Sequence, residues 1–262
     1  MKLTSLRIRN LRCYKDEINI DFEEITALIG RNDAGKSTIM DALDIFLNES
    51  NPDKHDACKS GDPKDLAIIC VFSDLPDEVV IDDTNPTSLS DEYLLNNDGN
   101  LEIHKIYSGQ LINPKCSSVY ALALHPSSEG ASDLLQLKNS DLKKRAKGFD
   151  IDLSDIDQKV NAQLRRKIRE HIGELHVEPS LIPLNEDNAK KIWEGLKAYM
   201  PAFALFKSDR LSSDQDPEAQ DPLKAAIKEA LKEKEAELSA ISKHVEEEVK
   251  KIAQKTLAWI FT

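Results

Sequence analysis

Apolar and polar positions alternate at the start of the chain. Leu6 and Ile8 face one way and Arg7 and Arg9 the other, so Leu3 to Leu11 reads as a half-buried strand. Arg12 to Glu17 is polar and turn-like. Ile18-Asn19-Ile20-Asp21-Phe22 alternates again, and Ile25-Thr26-Ala27-Leu28-Ile29 is a short apolar run that predicts a buried strand. The period then changes. From Thr38 to Leu47, Ile39, Leu43 and Phe46 or Leu47 recur at helical spacing, which predicts an amphipathic helix. The order is strand, strand, strand, turn, helix.

Further along, Asn48 to Lys64 is rich in Asn, Asp, Pro, Lys and Gly and reads as an exposed loop. Asp65 to Phe72 is apolar and β-prone, and is expected to pair with the antiparallel N-terminal strands. Ser73 to Asn100 is acidic and turn-rich, with short helices expected near Pro76-Asp77-Glu78 and Ser90-Asp91-Glu92. Leu101 to Tyr107 and Ser118 to Leu124 read as strands. Residues 131–178 read as helical: Ile156, Val160, Leu164, Ile168 and Ile172 or Leu175 recur every three or four positions, with Asp155 or Ser154 as the cap. Leu181 to Leu184 is a Pro-containing connector. A helix follows from Asn185 to Lys197, closed by Pro201, and then a buried strand over Ala202 to Phe206. After a polar loop at Ser212 to Asp221, Leu231, Leu238, Val245 and Ile252 recur every seven residues, which predicts a long final helix packed on a partner or on its own chain. The apolar end, Leu257 to Phe261, is of a kind normally buried by something that follows.

The turn between the third strand and the first helix carries the chemistry. Gly30-Arg31-Asn32-Asp33-Ala34-Gly35-Lys36-Ser37-Thr38 fits G-x-x-x-x-G-K-[ST], and both flanks have the strand and helix character the motif requires. Gly30 and Gly35 allow a tight turn and close approach to a phosphate. Successive amides from Asn32 to Thr38 form an anion nest at the positive end of the helix. Lys36 is placed to reach the β- and γ-phosphates of a nucleotide, and the Ser37 hydroxyl to ligate Mg²⁺.

This arrangement resembles the N-terminal lobe of ABC-type ATPases of the RecF/SMC group, and most closely the overcoming-lysogenization-defect (OLD) family. The residues that carry the resemblance are the opening Leu6-Arg7-Ile8-Arg9-Asn10-Leu11-Arg12, the loop G-R-N-D-A-G-K-S-T with Asn32 third, and Asp41-Ala42-Leu43 in the helix. It implies an α/β P-loop NTPase fold. The ATPase lobe with its antiparallel β layer would occupy residues 1–130, a helical insertion or dimerisation region 131–200, and a return strand with the long helix 201–262, continuing into a C-terminal part. It also implies ATP and Mg²⁺, a homodimer or higher oligomer, and regulation of a DNA-cleaving domain in defence against phage. Arg210, in a turn after the return strand, is a candidate for reaching the nucleotide or the opposing subunit. Gln110 and Gln136 are candidates for a Mg²⁺-sensing glutamine, without a motif to choose between them. The family's strand ending in Asp-Glu has its nearest counterpart in Val80-Ile81-Asp82-Asp83, which lacks the Glu, and its Ser-Gly segment has none. The catalytic residues therefore stay unassigned and are expected beyond Thr262. A RecF/SMC-like DNA-repair ATPase and a nucleotide-binding regulatory module without hydrolysis are the competing readings.

Bulk properties narrow the partners. The 262 residues are 40% hydrophobic and 31% charged, with a net charge of −12. Whole-surface attraction to nucleic acid is excluded, so a DNA contact needs a local basic patch or a downstream domain. Arg165-Arg166-Lys167 with Arg169, and Lys143-Lys144-Arg145 with Lys147, read as such a patch or as a solvated helix face. The second is favoured, because no aromatic residue is interleaved for base stacking. No run is long enough to span a membrane, and the N-terminus leads into a strand rather than a signal peptide. Cys13, Cys58, Cys70 and Cys116 are scattered without metal spacing, as for free thiols in a cytoplasmic protein.

Overall fold

Strand β1 (Lys2–Arg9) buries Leu6 and Ile8 completely and turns Arg7 and Arg9 to the other face, as the alternation requires. In the computed structural model, which describes residues 1–31, 34–62, 64–82, 85–108, 114–186 and 188–205, it sits near one edge of a six-stranded sheet. The further strands are β2 (Ile18–Asp21), β3 (Leu66–Ser73), β6 (Leu101–Tyr107), β7 (Cys116–Pro126) and β8 (Val177–Pro183), in the order β2-β1-β3-β6-β7-β8. Every pairing is antiparallel, so the expected antiparallel layer is the main sheet. Short strands β4 (Val79–Asp82) and β5 (Asn85–Thr87) form a separate hairpin. Helix α1 (Lys36–Leu47) packs Ile39, Ala42, Leu43 and Phe46 into the same core as Leu6, Ile8, Ile68 and Phe72. Helix α4 (Ala189–Lys197) adds Ile192, Trp193 and Leu196 to it. Each buried Leu, Ile or Phe among them contributes about 1.5–3 kcal/mol.

Several expectations change. Ile25 to Ile29 forms no strand, and Ile25 and Ile29 are 90% and 94% exposed. A strand needs a partner to satisfy its backbone groups, and this run pairs with none of the described strands. The 131–178 region contains two helices, α2 (Asn139–Gly148) and α3 (Asn161–Ile172), rather than one periodic run. Ile156 belongs to the connecting loop, where it packs with Leu153 and Ile151 against a second core of Leu134, Leu142, Ala146, Leu164 and Ile168. Helix α3 therefore starts after Val160, and neither Asp155 nor Ser154 caps it. The Pro-containing connector is the edge strand β8. Pro179 and Pro183 pair with Leu124 and Tyr120 across β7, and proline is tolerated because the far side of an edge strand needs no ladder donor. Ala202 to Leu205 is not a strand, and residues 76–78 and 90–92 form bends and turns rather than helices. Gln110, Arg210 and the heptad-patterned final helix lie outside the described residues.

Two buried ionic clusters hold the layers. Glu92, in a turn, receives the Arg165 guanidinium through two bonds of 2.7 and 2.8 Å and Arg169 at 3.1 Å. All three side chains are buried. Burial alone would raise the Glu92 carboxyl, but Arg165 and Arg169 outweigh it and hold the pKa below the usual value. On β6, Glu102 accepts bonds from Arg7, from Asn96 at 3.0 Å and from His104 at 2.8 Å. Burial opposes its charge, yet these partners bring the Glu102 pKa down to about 2.

Glu92→Ala takes away the buried carboxylate that Arg165 and Arg169 share. It is expected to cost about 3–5 kcal/mol in urea unfolding at neutral pH; a loss below about 1 kcal/mol would show that the cations find other partners. Glu102 binds its proton less readily in the folded protein than in the unfolded one. Its contribution is therefore full above the ordinary value of 4.5 and is lost as pH falls towards about 2. The stability gap between wild type and Glu102→Gln should be widest above pH 4.5 and should narrow through that window in urea titrations. A gap independent of pH would refute this.

Candidate functional site

Gly35 makes the turn into α1. Its φ of +88° is left-handed, and it stands at the helix N-cap with no side-chain cap. The first helical hydrogen bond closes behind it, from Ile39 N to Gly35 O at 3.3 Å. The amides of Lys36, Ser37 and Thr38 thus precede any intrahelical partner. No acidic residue lies in the first turn, so the positive end of the helix is not neutralised there. The Lys36 ammonium folds back over the loop and donates to the carbonyls of Gly30 and Arg31, both at 2.6 Å. Ser37 is exposed and Thr38 is buried beside the core. Ala34 is tied to Arg31 by a turn bond of 3.2 Å. The structure thus brings Gly30, Arg31, Ala34, Gly35, Lys36, Ser37 and Thr38 to one loop and helix end; Asn32 and Asp33 lie outside the described residues.

Sequence reasoning missed the roof of this loop. A Cβ built on Gly35 would stand 2.5 Å from Tyr14 Oη and 2.8 Å from Cys13 Sγ. The turn between β1 and β2 therefore lies directly on the glycine. Burial raises the Tyr14 pKa, with a smaller push from Cys13, so the phenol stays protonated. Arg12 reaches from the same turn to Asp41 on α1 and, at 2.7 Å, to Asp56. Burial works against the Arg12 charge, but Asp56 and Asp41 outweigh it and raise its pKa. The available signal was an aromatic residue in a polar turn, Arg12-Cys13-Tyr14-Lys15, shortly before a phosphate-loop motif.

The other candidates are spread out. Val80-Ile81-Asp82 lies in β4, which pairs with β5 and packs on α4; just beyond that helix Tyr199 Oη accepts from Val80 N at 3.0 Å, and Asp83 is outside the described residues. Gln136 sits in a turn, its amide bonded to Asp133 O. Arg165 and Arg169 are not on a solvated face: they lie inside, on Glu92, with the Arg169 guanidinium 5.2 Å above the Tyr93 ring. Of that run only Arg166 and Lys167 face outward, paired with Glu170 at 3.0 Å and Asp155 at 2.6 Å.

Among the described residues no group of three or more His, Cys, Asp or Glu could cage a metal ion. One exposed serine hydroxyl beside a phosphate cradle suits Mg²⁺, which keeps most of its ligands as water and phosphate oxygens. The cradle itself also fits a phosphate, because the Gly35 position has no room for a Cβ and the adjacent amides are open.

The family model described as an AAA ATPase domain matches residues 1–259. The chain belongs to the AAA ATPase domain family. Its members are RecF/SMC-like ATPases, so the P-loop NTPase class, nucleotide binding and an ATPase module are established at family level. No curated protein matches the chain. No helix among the described residues is long and apolar enough to cross a membrane.

Two separate costs fall on Gly35→Ala in this ATPase module: the left-handed φ and the collision with Tyr14. Together they are expected to remove about 2–4 kcal/mol of stability. Adding Tyr14→Ala should recover only the part of the collision due to the phenol, since Cys13 Sγ still stands 2.8 Å from the added Cβ. Full recovery in the double variant, measured by urea unfolding, would show that the backbone conformation is not left-handed there.

Proposed function

We propose that this chain is the ATP-binding module of an OLD-like DNA endonuclease acting in defence against phage, working in the cytoplasm as a homodimer with ATP and Mg²⁺. The observation that carries the nucleotide part is the Lys36 ammonium held over an uncapped helix start by two loop carbonyls. In this reading Lys36 exchanges those carbonyls for the β- and γ-phosphates. The amides from Asn32 to Thr38 cradle the same phosphates, and Ser37 holds Mg²⁺. The OLD assignment is supported by the opening Leu6 to Arg12, the G-R-N-D-A-G-K-S-T loop and Asp41-Ala42-Leu43. DNA would be met by a further domain, since Arg165 and Arg169 are committed to Glu92.

A second reading is favoured by one observation. The segment nearest to an Asp-Glu strand, β4, is committed to a hairpin on α4, while Ile25 and Ile29 stand exposed immediately before the loop. Both facts support a module that binds nucleotide by itself and hydrolyses it only when another segment or subunit covers that run. ATP binding without phosphate release, even with every natural partner present, would favour a purely regulatory module.

Lys36→Ala removes at least two charge-assisted contacts to phosphate. The affinity for ATP with Mg²⁺, measured by calorimetry, should fall about a hundredfold or more. Unchanged affinity would sink the assignment.

A further inference from the structure

The segment from Pro52 to Gly61 is a loop, but it is not the freely exposed one its composition predicts. Pro52, Asp56 and Cys58 are buried. Asp56 uses all of its polar atoms. Its amide donates to Asp53 O at 2.9 Å, and its Oδ2 accepts from Asp53 N at 2.6 Å, so it closes its own turn. Its carbonyl accepts from Arg12 N at 2.6 Å, and its Oδ1 accepts from Arg12 Nε at 2.7 Å. The same two segments also touch through Cys58 N to Asn10 O at 2.9 Å and a bridge between Leu11 and Ala57. Gly61 allows the approach: a Cβ there would collide with Asn10 Oδ1.

The clasped turn runs on to the phosphate loop by two routes. Arg12 continues from Asp56 to Asp41 on α1. Leu11 and Tyr14 close the turn with reciprocal bonds of 3.1 and 2.9 Å, which sets Tyr14 against Gly35. The charged link matters because Asp56 is buried. Without its carboxylate, Arg12 keeps only the half-exposed Asp41, an ion pair worth little by itself.

We propose that Asp56 is a positioning residue for the phosphate loop: through Arg12 and the turn at residues 11–14 it holds Tyr14 on Gly35 and α1 in line, and so sets the affinity for a nucleoside triphosphate. The inference rests on the nucleotide-binding reading of the loop. It makes the surface around residues 53–61 a place from which nucleotide affinity is controlled without contact to the nucleotide.

The test uses Asp56→Asn in the full 262-residue chain. Calorimetry with ATP and Mg²⁺ should show a dissociation constant raised about tenfold, the usual scale for a residue that orients a binding group at one remove. Glu102→Gln, which weakens the sheet away from the turn, should leave that constant unchanged; an equal loss there would mean that the Asp56 effect is only general destabilisation and would overturn the proposal. Hydrogen exchange supplies an arm that needs no nucleotide. In Asp56→Asn the amides of Arg12, Tyr14 and Ile39 should exchange about tenfold faster. Unchanged exchange at Ile39 would overturn the positioning role, whether or not ATP binds. Wild type that fails to bind ATP would instead count against the nucleotide reading, with the exchange arm still deciding this one. Should Asp56→Asn not fold, Arg12→Gln breaks the same link from its more exposed end and is read in the same two ways.

Discussion

The Lys105 ammonium, buried under the last turn of α1, fixes the helix that carries the phosphate loop. It donates to Phe46 O at 2.8 Å and lies 4.6 Å from the Phe46 ring and 5.1 Å from the Trp193 ring. Burial lowers its pKa and Glu49 opposes that shift. Removing an ammonium from water costs several kcal/mol. A charge-assisted bond of about 1.5–3 kcal/mol, two aromatic faces of about 1 kcal/mol each and the negative end of the helix at about 1 kcal/mol bring the balance near zero. The net gain is therefore in placement more than in stability. With β6 gripping one end of α1 and Gly35 turning the other under Tyr14, the first-turn amides have a fixed direction.

What was legible in the sequence follows from how far each feature depends on its neighbours in the chain. The strand of Leu6 and Ile8 and the helix of Ile39, Leu43 and Phe46 are patterns internal to short segments, and the structure places them as expected; the phosphate-loop motif has its helix but not the strand expected before it. The buried role of Arg165 and Arg169 could not be read this way, because their partner Glu92 lies more than seventy positions away. Composition shows that a helix is basic, and says nothing of a carboxylate waiting inside. The edge strand β8 was hidden by Pro179 and Pro183, since only a partner on one side makes them harmless. The roof of the loop was hidden for the opposite reason. Tyr14 is close to the motif in sequence, but nothing in a polar turn says which way an aromatic side chain will lean.

The same physics separates the charges that build this protein from those that merely cover it. Buried groups such as Glu92, Glu102 and Asp56 each satisfy two or more donors, and each joins segments distant in the chain. Outward pairs such as Arg166 with Glu170 are neighbours on one helix and contribute a few tenths of a kcal/mol. A net charge of −12 therefore says little about what holds the described residues together, where the cations that matter most, Arg165, Arg169 and Lys105, are buried.

The exposed run before the loop adjoins the groups that would meet phosphate. Ile25 and Ile29 each present a large apolar side chain to water, and covering both would contribute about 3–6 kcal/mol. That is comparable to what a triphosphate gains by replacing the two carbonyl partners of Lys36 with charged oxygens. The two gains are adjacent in the chain, one residue separating Ile29 from Arg31. A strand laid against residues 25–29 would fix the entry to the loop from the side opposite α1, which Gly35 and Lys36 cannot do by themselves. In the reading of a module completed by a partner, covering the run and binding the phosphates would favour each other, because each would remove freedom that the other otherwise has to remove.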